Sequence, residues 1–142
     1  MVNFEPNEQQ EELINQICKW FRDYESGHRI RNHPQWYSYS GAAGVGKSAV
    51  IQFIINRLNL SDDQYITCAY TGKAALNLQQ KNLPSCTVHS LIYHTIIEKV
   101  TSTDDEIDQG APPVKIKFHF ILKASLPKKY RLIIVDEATM IN

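Results

Sequence analysis

An eight-residue segment of this chain has the composition and spacing of a phosphate-binding loop. Its residues are Gly41, Ala42, Ala43, Gly44, Val45, Gly46, Lys47 and Ser48, which match the pattern G-x-x-x-x-G-K-[ST]. Glycines allow successive backbone N–H groups to turn toward an anion, and the start of a following helix adds a positive dipole. Lys47 would then reach the β- and γ-phosphates of a nucleoside triphosphate, and the Ser48 hydroxyl would bind Mg²⁺.

A second candidate segment is the apolar run Leu132–Val135, which is followed at once by Asp136 and Glu137. Such a run is typical of a buried parallel strand, and open α/β sheets bind ligands at the carboxyl ends of their strands. Asp136 would hold Mg²⁺, usually through water, and Glu137 would orient or deprotonate the attacking water. Together with the loop, this pair of acids indicates a protein that binds or hydrolyses a nucleoside triphosphate.

Two other classes of phosphate-loop protein find no support in the sequence. A GTPase requires an N-K-x-D motif that recognises guanine, and the chain contains none. A small-molecule kinase lacks the paired Asp-Glu and needs a lid that carries arginines, which is not visible here. The predicted ligands are therefore ATP and Mg²⁺.

The hydrophobic pattern places these segments in an alternation of strands and helices. Helices are predicted over 7–24, 48–58, 73–80 and 88–97, and strands over 36–40, 65–70, 115–122 and 132–135. Asn7 and Gln10 have the spacing of a capping box at the start of the first helix. The alternation predicts an α/β fold of the P-loop NTPase type, with a mainly parallel sheet and flanking helices.

The composition is that of an ordinary globular domain without bulk charge. Of 142 residues, 43% are hydrophobic and 21% are charged, and the formal net charge is zero. A nucleic-acid partner must therefore be bound by a local positive patch. No apolar stretch approaches the ~20 residues of a membrane span, so no membrane partner is expected. Three widely spaced cysteines are interpreted as reduced core thiols of a cytoplasmic protein.

Three further segments extend the pattern of motifs. Thr71–Ala75 has the sequence T-G-K-A-A directly after a predicted strand, Thr87–Leu91 has T-V-H-S-L, and Asp136–Met140 has D-E-A-T-M. With the phosphate-binding loop, and with Gln10 at the place of a Q-motif glutamine, this ordered series resembles superfamily 1B DNA helicases of the RecD and Dda type. The resemblance covers almost the whole chain.

The resemblance implies a RecA-like ATPase domain at the amino terminus of an ATP-dependent DNA helicase, a motor that moves 5′ to 3′ on single-stranded DNA. Gln10 would then recognise adenine. In that family the T-G-K-A-A segment touches the DNA backbone, so Thr71, Gly72 and Lys73 are the matching candidates, and His89 matches the histidine of T-x-H-S-L. A hydroxyl, a glycine amide and an ammonium group at a helix N-terminus suit a phosphate group.

The main departure from the family pattern is length. The family continues into a G-D-x-x-Q segment, a second RecA-like domain and the arginines that complete ATP hydrolysis, which these 142 residues do not contain. Residues 1–142 are therefore expected to be the amino-terminal part of helicase domain 1A, truncated after the strand that precedes Asp136. They are expected to need the missing carboxyl-terminal RecA-like domain, and to be inactive alone.

A small inserted hairpin is expected at about 100–123. Gly110 and Pro112 break the helical pattern, and the segment 115–122 then alternates apolar residues with basic ones. The resembling helicases insert a pin at this place, so Phe118 would stack on an unpaired base. The alternative is that the alternating apolar residues cover the edge of the sheet.

Two alternative functions remain open from the sequence. One is another ATPase with a paired Asp-Glu, such as an AAA+ loader. The other is a non-catalytic module that binds ATP or DNA.

Overall fold

The computed structural model describes residues 5–27, 35–41, 46–110 and 112–138 of the protein. The chain forms two compact units, Met1–Ser61 and Asp62–Asn142.

In the part of the first unit that the structure describes, there are two helices. α1 (Glu8–Glu25) begins after Asn7, whose side chain accepts a hydrogen bond from the Gln10 backbone N–H at 2.9 Å. The Gln10 side chain accepts one in return from the Asn7 N–H at 3.0 Å, so the predicted capping box is confirmed. α2 (Lys47–Leu58) begins at the end of the phosphate-binding loop, as predicted. Apolar residues spaced by three or four are buried: Ile14, Ile17, Cys18, Phe21, Val50, Ile51, Ile54 and Ile55.

An arginine on α2 links the two helices at their polar side. Arg57 donates to both carboxylate oxygens of Glu11, at 2.8 and 3.1 Å, and to Asn15 Oδ1 at 2.7 Å. The hydrogen bond from Arg57 holds the pKa of Glu11 below its ordinary value. The ion pair of Arg57 with Glu11 therefore links α1 to α2 at the surface of the unit.

The predicted strand over 36–40 is wrong: these residues have no regular secondary structure. The Tyr37 side chain contacts α1. The Tyr37 hydroxyl donates to Gln16 Oε1 at 2.9 Å, and the Tyr37 ring lies 6.0 Å from that of Trp20. The Trp36 side chain is 69% exposed.

The described residues of the second unit form five strands and three short helices. In chain order they are β1 (Tyr65–Ala69), α3 (Gly72–Gln79), β2 (Ser85–Thr87), α4 (Val88–Ile92), β3 (Tyr93–Thr101), α5 (Asp104–Asp108), β4 (Val114–Leu122) and β5 (Leu132–Val135). Three of the strands form a parallel sheet in the order β2-β1-β5. The predicted α/β fold with a mainly parallel sheet and flanking helices is therefore confirmed, although β2 and α5 were not expected.

The central strand of this sheet is its most buried element. All five residues of β1 are buried, because β2 and β5 pair with its two edges. β5 is parallel, as predicted, but it lies at the edge of the described sheet, and its Ile133 is 41% exposed. Ile66, Cys68 and Leu91 form a buried cluster against which Val135 and Tyr130 pack.

The remaining two strands form an antiparallel hairpin, with Tyr93 opposite Leu122 and Thr101 opposite Val114. The predicted helix over 88–97 is therefore wrong beyond Ile92. Ile92 and Ile96 have helical spacing, but Tyr93–Ile97 is rich in β-branched and aromatic residues, and pairing with β4 decides its conformation. The hairpin begins seven residues earlier than expected, at Tyr93 rather than near residue 100.

Among the described residues, no helix is both long enough and apolar enough to cross a membrane.

The cysteines are free thiols; Cys18 and Cys68 are buried as predicted, and Cys86 is half-buried.

Candidate functional site

The end of the glycine-rich segment 41–48 is described from Gly46 onward. Gly46 is the N-cap of α2 and has a φ of 84°, a conformation that glycine adopts without strain. Because glycine has no side chain, the first turn of the twelve-residue helix is not capped by its own N-cap residue. Lys47 Nζ donates to the Gly41 carbonyl at 2.7 Å, so the lysine reaches back to the start of the loop. Ser48 follows in the same turn, and Ala42, Ala43, Gly44 and Val45 lie outside the described residues.

Gln10 lies close to the end of this loop. Its Oε1 is held by the capping box, while its Nε2 lies 2.9 Å from the position that a Cβ on Gly46 would occupy. A side chain at residue 46 would therefore clash with Gln10 as well as strain the backbone. The glutamine both caps α1 and contacts the segment that carries Lys47.

In the second unit, three motifs follow three neighbouring strands at one edge of the parallel sheet. β2 leads into Thr87 and His89, β1 leads into Thr71–Lys73, and β5 leads into Asp136 and Glu137. In register, Ala69 lies opposite Thr87, and the Asp136 N–H donates to the Cys68 carbonyl at 2.8 Å. The carboxyl ends of the strands thus bring the candidate DNA residues and the paired acids to one edge.

The paired acids have an unusual local conformation. Asp136 Oδ1 accepts a hydrogen bond from the Glu137 N–H at 3.0 Å, and Glu137 has a φ of 54°. A left-handed backbone is uncommon for glutamate and costs on the order of 1 kcal/mol. The turn places Asp136 in a half-buried position and Glu137 in an exposed one.

The T-G-K-A-A segment forms the start of α3. Thr71 is the N-cap, and its hydroxyl oxygen accepts from the Ala74 N–H at 3.2 Å. Gly72 and Lys73 are exposed in the first turn. A Cβ added to Gly72 would meet none of the described atoms within 4 Å, so the packing of the unit does not require glycine here. The small residue leaves the first turn of α3 open to a close approach by a ligand.

The T-V-H-S-L segment is joined to the hairpin. The Thr87 hydroxyl oxygen accepts from the Ser90 N–H at 3.1 Å, which starts α4. The ring of His89 lies 4.6 Å from that of Tyr93 and meets the edge of Phe120 at 4.3 Å. Lys123 Nζ donates to the carbonyl oxygens of Ser90 and Leu91, at 2.7 and 3.2 Å.

Sequence reasoning missed the roles of Tyr93 and Lys123. Both bring the hairpin base onto the helix that carries His89, and neither belongs to a motif. Their contacts depend on the register of β3 with β4, for which the sequence has no local signal.

Phe118 lies on the hairpin, apart from the ring contacts that His89 makes with Tyr93 and Phe120. It is opposite Ile97 in the hairpin and is 58% exposed. Its neighbours along the same face, Ile116, Phe120 and Leu122, are also more than half exposed. The interpretation that these residues cover the edge of the parallel sheet is wrong, because the hairpin forms a separate two-stranded sheet.

The residues fit the chemistry of Mg·ATP. The glycine-capped N-terminus of α2 and the lysine that follows it suit phosphate oxygens. A serine hydroxyl and an aspartate carboxylate are oxygen donors of the kind that Mg²⁺ prefers. When bound, the metal would neutralise charge on the phosphates.

Comparison with known proteins defines the class. Residues 31–142 match the AAA domain family, and the chain belongs to that family. The predicted resemblance to the amino-terminal domain of superfamily 1 helicases is confirmed by this match and by two curated relatives.

Both relatives come from Trypanosoma brucei brucei (strain 927/4 GUTat10.1). The chain is 30% identical over 144 residues to ATP-dependent DNA helicase PIF7, covering 99% of this chain and 13% of that protein. It is 34% identical over 102 residues to ATP-dependent DNA helicase PIF4, covering 72% of this chain and 11% of that protein. The chain therefore spans about an eighth of the length of these relatives. No solved structure gives a significant match.

Proposed function

We propose that this chain is the ATP-binding and DNA-contacting domain of an ATP-dependent DNA helicase that moves 5′ to 3′ on single-stranded DNA. One observation carries the proposal: the loops after three adjacent parallel strands hold Thr71–Lys73, His89 and the acidic pair at the same edge of one sheet. An edge of this kind is where α/β proteins bind and process ligands. The names of the two relatives agree with a helicase function.

In this proposal the first unit holds the nucleotide. Lys47 and the N–H groups at the start of α2 bind the β- and γ-phosphates, and Ser48 binds the metal ion. Gln10, through the Nε2 that faces Gly46, is the candidate for recognition of adenine. In the second unit, Asp136 is the candidate carboxylate ligand of Mg²⁺, and Glu137 is the candidate to orient the attacking water and accept its proton.

The second unit contacts the DNA backbone. Lys73 has an exposed side chain in the first turn of α3. Because Gly72 beside it has no side chain, a phosphate group can approach the helix N-terminus. Thr71 keeps its hydroxyl proton available, because its oxygen acts as the acceptor in the cap of α3. His89, held between Tyr93 and Phe120, supports a base or sugar at the neighbouring loop.

Binding of an oligodeoxythymidine, followed by fluorescence anisotropy at several salt concentrations, tests this DNA contact. Lys73→Ala should weaken binding and reduce the slope of log affinity against log salt by about 0.7, the value for one phosphate contact on a single strand. Lys81→Ala, at the opposite end of α3, is the matched control and should leave the slope unchanged. Gly72→Ala should also weaken binding, although the space around it keeps the fold intact.

The DNA contact would be refuted by an unchanged salt slope in Lys73→Ala together with unchanged affinity in Gly72→Ala. Circular dichroism of each variant separates a lost contact from a lost fold.

The hairpin is proposed to separate the strands of a duplex. It projects its aromatic and aliphatic face away from the core of the unit, with Phe118 more than half exposed. Lys115 and Lys117 lie on β4, so the strand that carries the exposed ring also carries positive charge. A ring in this setting can stack on an unpaired base.

We also propose that these 142 residues hydrolyse ATP only slowly by themselves. In phosphate-loop enzymes an arginine finger contributes ~10³–10⁵ to the rate, and the helicases that this chain resembles take such arginines from a second RecA-like domain. DNA-stimulated turnover by the isolated chain at helicase-like rates would refute this part.

A further inference from the structure

Two of the three cysteines lie side by side on neighbouring strands of the parallel sheet. Cys68 on β1 is directly opposite Cys86 on β2, and their Sγ atoms are 3.8 Å apart. In the sequence these residues are separated by a helix and two loops. The pairing is therefore a product of the fold that spacing alone does not predict.

The backbone geometry at this pair is compatible with a disulfide bond. Neighbouring strands are about 4.7–4.9 Å apart, and the Cα atoms of disulfide-bonded cysteines are usually about 4.4–6.8 Å apart. Because the two sulfur atoms are already in contact, bond formation needs only a side-chain approach of roughly 2 Å to the ~2.05 Å of an S–S bond. The backbone of β1 and β2 can stay paired.

The two thiols differ in access to solvent. Cys68 is fully buried in the cluster with Ile66 and Leu91, whereas Cys86 is half-buried at its margin. A small oxidant therefore meets Cys86 first, and Cys68 is the only described thiol that touches it. Burial raises the pKa of the Cys68 thiol to about 12, so this sulfur is a neutral thiol near neutral pH and is itself a poor target.

We propose that Cys68 and Cys86 form an oxidisable dithiol site that a hydroperoxide converts to a disulfide between β1 and β2. The Cys86 thiol releases its proton, the thiolate attacks a peroxide oxygen, and the O–O bond breaks. The leaving hydroxide takes up the released proton, so that the products are a Cys86 sulfenic acid and water. The Cys68 sulfur then attacks the Cys86 sulfur, the S–O bond breaks, and the leaving hydroxide takes the Cys68 proton as a second water. Two thiols lose two electrons and two protons, and hydrogen peroxide is reduced to two waters.

The bond lies immediately before two of the motif loops. β1 runs from Cys68 into Thr71–Lys73, and β2 runs from Cys86 into Thr87 and His89. The disulfide therefore covalently joins the bases of both loops, and a dithiol reductant releases them. Disulfides in reducing compartments are generally of this transient kind.

The test is oxidation of the folded 142-residue chain by hydrogen peroxide. After the peroxide is removed, the chain is unfolded, alkylated with N-ethylmaleimide without reductant, digested with trypsin and analysed by mass spectrometry. The expected product is one disulfide-linked pair of peptides, 58–73 joined to 82–99, with Cys18 alkylated in peptide 1–19. Treatment with dithiothreitol before alkylation should remove the linked pair.

Three controls make the result decisive. Cys18→Ala should cross-link as the parent chain does, whereas Cys86→Ala should leave Cys68 alkylated after the same peroxide treatment. The parent chain oxidised in urea should cross-link much more slowly, because the fold supplies the proximity.

The proposal is overturned if peroxide takes Cys86 to the sulfinic acid while Cys68 stays free. It is also overturned if links to Cys18 form as readily as the 68–86 link, or if cross-linking is equally fast in urea. Each of these results can be read on the parent chain, so they do not depend on the folding of a variant.

Discussion

β1 and β4 are apolar strands of the same unit, yet they have opposite surroundings. Every residue of β1 is buried, whereas all residues of β4 except Lys115 are exposed. β1 has a strand paired on each side and packs with α3 and α4, while β4 pairs, within the described part of the chain, with β3 alone. The difference teaches that an apolar pattern specifies an extended strand, but that the number of neighbouring elements decides whether its side chains reach a core.

The same comparison separates two structural features of the unit. The parallel sheet holds three motif loops at fixed spacing, which requires a rigid, well-packed strand in the middle. The hairpin presents rings to solvent, which a buried strand cannot do. A two-stranded sheet is marginally stable alone, and here the bonds from Lys123 to α4 and the contact of Phe120 with His89 fasten its base.

The largest expected effect is the loss of stability when the central strand is truncated. Ile66→Ala should lower the free energy of unfolding by roughly 2–5 kcal/mol, because it opens a cavity in the buried cluster. Phe118→Ala removes a larger side chain, but one that is mostly in water, and should change stability by about 0.5 kcal/mol or less. Urea unfolding followed by circular dichroism compares the two variants. Equal destabilisation would mean that the hairpin face is part of a core.

A second prediction concerns what the exposed rings do. In a longer protein that unwinds DNA, Phe118→Ala should reduce unwinding while ATPase activity stimulated by single-stranded DNA persists. Loss of one stacked base is worth ~1–3 kcal/mol, which corresponds to roughly a 5- to 150-fold effect.

Ile121→Ala provides the matched control for this experiment. Ile121 is 52% exposed on the same strand but points to the opposite face of the hairpin, opposite His94. It should leave unwinding unchanged. If Phe118→Ala and Ile121→Ala reduce unwinding equally, the face of Phe118 has no specific role.

The last effect is expected at alkaline pH and involves two residues of the buried strand β1. Burial raises the pKa of the Cys68 thiol from 9.0 to about 12, and it also raises the pKa of Tyr65 on the same strand. The unfolded chain releases these protons at lower pH than the folded chain does. The stability from the buried neutral groups is therefore complete below pH 9 and is lost as the pH rises toward 12.

Urea unfolding across this alkaline range measures the loss. The stability of the Cys68→Ala variant should fall less steeply with pH than that of the parent chain, because one of the buried acids with a raised pKa is gone. An identical slope would show that Cys68 ionises as freely in the folded chain as in the unfolded one.

Local signals in the sequence account for much of the fold. The capping pair Asn7 and Gln10 marks the start of α1, and the apolar run before Asp136 predicts the parallel strand β5. These features depend on hydrogen bonds within a few residues or on a continuous hydrophobic segment. The motif loops also follow their strands as the resemblance implies.

The failures occur where distant partners decide the structure. Ile92 and Ile96 have helical spacing, but Ile96 pairs with His119 across the hairpin. The sequence likewise has no local signal for the bonds from Lys123 to α4 or for the contact between Cys68 and Cys86, since both depend on strand register. The roles of the site residues in catalysis and DNA binding stay predictions.

The most direct test of the central claim, that the first unit binds Mg·ATP through its glycine-rich loop, is isothermal titration of the chain with Mg·ATP. Lys47→Ala should weaken binding by at least about tenfold, since it removes the cation at the start of α2 that the β- and γ-phosphates need. Lys19→Ala removes the same charge from an exposed position on α1 and should bind as the parent chain does. Equal affinity for Mg·ATP in the Lys47→Ala and parent chains would contradict the account.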